Sequence, residues 1–178
     1  MMVKNIFIMG EKGIGKSTLI NRLIEEINFE VSGFKTLPYE IEDQRMGFYL
    51  KGLVETGDFI NNRPISIKDT QTSCIPITET FETLGVEVLR NSLKDPHPII
   101  VMDELGRLER MAKKFNQEVC KVLDSHKMVL GVLQQVSVPL LEAIKQREDT
   151  LVLTLTRHNT HNVHMKIKEE IERIVNHV

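Results

Sequence analysis

The stretch GEKGIGKST at 10–18 sets Gly10, Gly13, Gly15, Lys16 and Ser17 at the spacing G-x-x-x-x-G-K-[ST]. Glycines allow a backbone to turn its N–H groups inward around a phosphate, and a helix starting directly after them adds the positive end of its dipole. Lys16 can then reach β- and γ-phosphates, and the Ser17 hydroxyl can ligate the magnesium that bridges them. The expected nucleotide-binding loop is therefore Gly10, Glu11, Lys12, Gly13, Ile14, Gly15, Lys16, Ser17 and Thr18. A glycine-rich turn that merely joins two elements is the plainer reading. The flanks favour phosphate, because the strand-like VKNIFIM precedes the loop and the helix-like LINRLIEEI follows it.

A loop of this kind needs a carboxylate at the end of a neighbouring strand to hold the magnesium. PIIVMDE at 98–104 supplies one: Asp103 follows an apolar run and should emerge at the carboxyl edge of a sheet. Glu104 comes next, and a carboxylate there can orient and polarise water for in-line attack on a γ-phosphate. An acidic helix start is the alternative origin of such a pair. Charge developing on the transferring group calls for a cation, for which Arg45, Arg107 and Arg157 are the candidates. Arg157 and Asn159, with Thr156, follow the last apolar run and can contact base or ribose; Asn159 can equally cap a helix.

Those residues need elements to carry them. VKNIFIM, PIIVM at 98–102, MVLGVL at 128–133 and TLVLTL at 150–155 read as interior strands, without polar alternation. Apolar residues recur at helical spacing in three sets: Phe81, Leu84, Val88 and Leu89; Leu108, Met111, Phe115, Val119 and Val122; Val163, Ile167, Ile171 and Ile174. Alternating strands and helices predict an α/β fold with a mainly parallel sheet and helices on both faces. Residues 31–78 differ: VSGFKT, MGFYLKGLV and PISIKDT are strand-like, with no helix between them, and predict an inserted β-meander. No proline-rich or serine-rich linker divides the chain, so residues 1–178 are expected to form a single domain.

Composition excludes several other classes. With 23 basic and 25 acidic residues the net charge is −2, so no global field attracts nucleic acid. Cys74 and Cys120 have neither disulfide-framework nor zinc spacing, which fits a reduced, cytoplasmic setting. MMVKNIFIMG is far too short in apolar residues to span a bilayer, and no membrane association is expected. His158, His161 and His164 recur every three residues, but they read as a solvated turn rather than a metal site. The apolar stripe of KIKEEIERIVNHV is read as core packing.

MDELGRLE at 102–109 resembles the D-E-[IL]-G-[KR]-[ML]-E signature of the small nucleoside-triphosphatases first described from thermophiles, called cancer-related nucleoside-triphosphatase in vertebrates. The resemblance extends through the phosphate loop, VSGFKT at 31–36, the R-x-G-F element (Arg45, Met46, Gly47 and Phe48), FETLGVEVLRNS, VLGVL at 129–133 and LTRHNTHN at 155–162. One element departs: where members often carry V-G-x-Y, this chain has QTSCIPIT at 71–78. The resemblance implies a RecA-like P-loop NTPase core that hydrolyses nucleoside 5′-triphosphates to diphosphates and phosphate, with magnesium and broad base tolerance. The residues alone leave two rivals open. One is a small nucleotide or nucleoside kinase; the other is a nucleotide-operated switch acting on a protein partner, whose identity the sequence does not indicate.

Overall fold

In a computed structural model of the chain, which describes residues 2–69 and 73–175, the first apolar run forms strand β1 (Asn5–Met9) and is followed by helix α1 (Lys16–Ile27). Four strands come next: β2 (Val31–Ile41), β3 (Gln44–Gly52), β4 (Arg63–Lys68) and β5 (Cys74–Pro76). Helix α2 (Thr78–Thr80) then runs through a π-helical turn, Phe81–Gly85, into α3 (Val86–Lys94). The rest alternates: β6 (Ile99–Leu105), α4 (Lys113–Asp124), β7 (Met128–Leu133), α5 (Pro139–Lys145), β8 (Thr150–Thr154) and α6 (Thr160–Val175). Local chemistry sets several of these limits: Asn28 takes the left-handed conformation that closes α1, and Pro139 opens α5.

All eight strands join one sheet in the order β5-β4-β3-β2-β6-β7-β1-β8. Contacts among β2, β6, β7, β1 and β8 are parallel, and those from β2 out to β5 are antiparallel. The fold is α/β with helices on both faces. Successive residues of the interior strands feed opposite cores, as the pleat requires. Ile6, Ile8, Ile99, Val101, Leu130 and Val132 pack with α1 and α6, through Leu19, Ile20, Leu23, Val163, Ile167 and Ile171. Phe7, Ile100, Met102 and Val129 face the other core, with α3, α4 and α5. At the centre of that second core Phe115 meets Phe34 edge-on, with ring centroids 5.6 Å apart, and Phe81 at 5.2 Å. Burying each such ring is worth about 1.5–3 kcal/mol.

Residues 31–78 differ in one respect from a meander set apart from the parallel units. Strand β2 belongs to the parallel core, pairing with β6 over Val31–Lys35, and only then continues alone with β3 to Ile41. The β2–β3 hairpin therefore overhangs the carboxyl edge by six residues, roughly 20 Å of strand. Thr70 of PISIKDT and residues 71–72 of QTSCIPIT lie outside the described residues, and 74–76 form the edge strand β5.

Two helical expectations are corrected. The stripe from Leu108 to Val122 is not one helix: residues 106–112 form turns, α4 begins at Lys113, and Met111 is 63% exposed. The turn is fixed by hydrogen bonds from Arg110 N to Arg107 O and from Ala112 N to Glu109 O, which close it before a helix can start. His164 is not solvated: it lies on the buried face of α6, with Nε2 2.9 Å from Glu26 Oε2 on α1. Position 164 neighbours the core residues Val163 and Ile167 on the helix, so packing of α6 on α1 buries it too. Among the described residues no helix is long and apolar enough to cross a membrane.

Candidate active site

The loop between β1 and α1 folds as its composition demands. Gly13 and Gly15 have φ of +77° and +103°, in the left-handed region where a Cβ is disfavoured, and Gly15 directly precedes the first turn of α1. Lys16 is only 8% exposed, and its Nζ donates to the carbonyls of Gly10 and Glu11, each at 2.8 Å. The ammonium is thus drawn back across its own loop. Glu11, Lys12, Gly13, Ser17 and Thr18 are exposed, and Ile14 packs against the α1 core.

Strand β6 brings the carboxylates. Strand β7 lies between β6 and β1, so Asp103 comes from the next strand but one rather than an adjacent strand. The β6–β7 register slips between Met102 and Leu105, a bulge at the two acidic residues, as is common beside active sites. The Asp103–Glu104 peptide is cis. Asp103 faces α1, where Ser17 Oγ donates to its Oδ1 at 2.8 Å. A hydroxyl and a carboxylate converging from the helix start and the strand end are the hard oxygen donors that suit magnesium. Burial pushes the Asp103 carboxyl up to about 6; Glu104 adds to the rise, while the Ser17 hydrogen bond and the charges of Lys35 and Lys16 oppose it.

Glu104 is half-buried and faces the opposite side of the sheet. There it lines a cavity of ≈ 30 Å³ with Thr36, Phe48, Phe81, Glu109 and Gln134. A space of that size holds a water or two. The backbone N–H of Glu104 donates to Thr36 Oγ1 at 3.3 Å, and Gln134 Nε2 donates to Glu104 Oε1.

The candidate cations are placed unequally. Arg45 leaves the overhanging hairpin opposite Glu40, and its guanidinium folds back over the Phe48 ring, 5.8 Å from the centroid and one ring away from the Glu104 cavity. Arg107 is exposed on the turn after β6. Arg157 is exposed at the end of β8, where Asn159 uses its amide on its own turn: Oδ1 accepts from Thr156 N at 2.7 Å and Nδ2 donates to Thr154 O at 2.9 Å. Asn159 therefore braces that turn, and its side chain is engaged with neither a helix N–H nor the P-loop.

Three residues to which the sequence reading gave no role stand beside these candidates. Lys35 stands opposite Asp103 in the β2–β6 register and donates to Asn21 Oδ1, one helical turn beyond Ser17, at 2.6 Å. Its only sequence signal was membership of VSGFKT. Gln134 lies at the end of β7, legible only once strand order is known. Glu109 is 2% exposed, and its carboxylate accepts the Gly106 N–H. It closes the DELGRLE motif, in which the sequence assigned it no role of its own.

Burial pushes the Glu109 carboxyl up to about 8, with Glu104 adding to the rise and the Gly106 hydrogen bond opposing it. A folded value above the unfolded one favours folding most below about pH 4.5, and the benefit is lost as pH rises towards about 8. Glu109→Gln should therefore flatten the fall of unfolding free energy between about pH 5 and 8 by up to about 1.4 kcal/mol per pH unit. Urea unfolding of both proteins across that range measures it; parallel pH profiles would contradict a buried protonated Glu109.

Comparison with known proteins identifies the family. The family model described as NTPase matches residues 5–168, which takes in the P-loop, both carboxylates and the β8 turn. The chain belongs to the NTPase family. This NTPase is 27% identical over 169 residues to the nucleoside-triphosphatase THEP1 of Thermotoga sp. strain RQ2, covering 89% of this chain and 90% of that one. It is 31% identical over 179 residues to the cancer-related nucleoside-triphosphatase homolog of Bos taurus, covering 91% and 93%. The solution structure of a human cancer-related nucleoside triphosphatase superposes with a TM-score of 0.76 at 25% identity, covering 96% of the NTPase and 98% of that chain.

Proposed function

We propose that the protein hydrolyses nucleoside 5′-triphosphates, ATP and GTP among them, to the diphosphate and inorganic phosphate, with magnesium. One observation carries the reading: Ser17 Oγ and Asp103 Oδ1 meet at 2.8 Å at the P-loop, with the Glu104 carboxylate next in the chain. The names of the relatives support the same reaction.

Backbone N–H groups of residues 10–16 and the Lys16 ammonium hold the phosphates. Ser17 and Asp103 would hold magnesium, which would supply neutralisation of the charge on the phosphates. Glu104 accepts the proton of a water whose oxygen bonds to the γ-phosphorus, while the bond from that phosphorus to the bridging oxygen breaks and the diphosphate leaves with the electron pair. An arginine, from Arg45 or Arg107, neutralises the transferring group. Arg157 lies beyond the β8 edge, where base or ribose would be contacted without demanding one base. The free cysteines Cys74 and Cys120 support a reducing, cytoplasmic setting.

The test is turnover in water labelled with heavy oxygen. Hydrolysis at the γ-phosphorus puts the label in inorganic phosphate and none in the diphosphate. Label in the diphosphate would move the attack to another phosphorus, and unlabelled transfer to an added nucleoside would make the protein a kinase.

A further inference from the structure

Gln134 stands where no motif marks it, yet every polar group of its side chain is used. Its Nε2 donates to Glu104 Oε1, its Oε1 accepts the Arg107 N–H at 3.2 Å, and its backbone N donates to Leu105 O at 2.9 Å. These partners set the orientation of the amide. Reversing it would turn the amide oxygen onto a carboxylate and the NH₂ onto a backbone donor, losing both bonds and adding repulsion.

The side chain also depends on the turn beneath it. A Cβ on Gly106 would lie 2.0 Å from Gln134 Oε1 and 2.2 Å from its Cδ, so the amide occupies the space that any other residue at 106 would fill. Gly106 is in turn tied down by Glu109, whose carboxylate accepts its N–H. The order of support runs from Glu109 to Gly106 to Gln134 to Glu104. One oxygen of Glu104 is thereby anchored. A side chain with three rotatable bonds otherwise samples several rotamers, and misplacement of a reacting group by about 1 Å can lower a rate 10²-fold.

We infer that Gln134 is a positioning residue for the Glu104 carboxylate, seated on Gly106, and that it sets kcat without taking part in nucleotide binding. The inference rests on Glu104 as the water-activating group.

The experiment is a double-mutant cycle with Gln134→Met, which keeps length and volume and removes both hydrogen bonds, read alone and with Glu104→Gln. Gln134→Met should lower kcat about 10- to 100-fold with KM unchanged, and should add nothing when Glu104→Gln is already present. Gly106→Ala, which pushes the amide aside without altering it, should reproduce the kcat loss and serves if Gln134→Met does not fold. A full kcat in Gln134→Met or Gly106→Ala overturns the inference. So does an equal further loss in the Glu104→Gln background, which would mean that Gln134 acts independently of the carboxylate. Full turnover by Glu104→Gln alone would instead remove the underlying assignment, a separate outcome read from a separate protein.

Discussion

Glu104→Gln should bind nucleoside triphosphate as the parent does and turn it over about 10²–10⁴-fold more slowly, the range expected when a general base is lost. The amide keeps the shape of the carboxylate and can still meet Gln134, so folding and the cavity should survive. It cannot take a proton from water. Nucleotide contacts lie elsewhere, in residues 10–18, which explains why affinity should hold while kcat falls. Equilibrium binding of a labelled triphosphate, set beside single-turnover phosphate release, separates the two quantities. Loss of binding together with turnover would place Glu104 in the phosphate site; unchanged turnover would remove it from the reaction.

Lys16→Ala should affect both quantities. The ammonium is buried at 8% exposure and spans the carbonyls of Gly10 and Glu11. Its removal deletes the positive charge nearest the expected phosphates and leaves two loop carbonyls without their donor. A fall of at least about 10²–10³ in kcat/KM follows from losing one such electrostatic contact in a sheltered site. Weaker triphosphate affinity should accompany it, unlike in Glu104→Gln. Lys16→Arg should not restore activity, because a planar guanidinium cannot replace a compact ammonium between two converging carbonyls. Stopped turnover with undiminished affinity would mean that Lys16 acts only on the chemical step.

The parts of the site legible in the sequence were those whose chemistry is local. Gly13, Gly15, Lys16 and Ser17 lie within one turn of chain, and their spacing alone predicts a phosphate loop. Asp103 was legible because four apolar residues before it mark an interior strand, which ends at the sheet's carboxyl edge. Gln134 was not, because its partner Glu104 lies 30 residues away and only the β6–β7 pairing joins them. Glu109 was obscured by its charge: its buried carboxylate is met by the backbone N–H groups of Gly106 and of Glu109 itself, which sequence does not display. Lys35 was hidden by register, since its relation to Asp103 exists only because β2 enters the parallel core. The misread stripe from Leu108 shows the same limit in reverse. Periodicity at Met111 imitated a helix that the 106–112 turn interrupts, and His164 imitated a surface residue until α6 was laid on α1.

The most direct measurement is phosphate release by the purified protein with magnesium and, separately, ATP, GTP, CTP and UTP, each beside Lys16→Ala. Release from all four nucleotides that disappears in the variant is the result expected of a broad nucleoside-triphosphatase built on this P-loop. Tight nucleotide binding with no release from any of them would contradict hydrolysis as the protein's reaction.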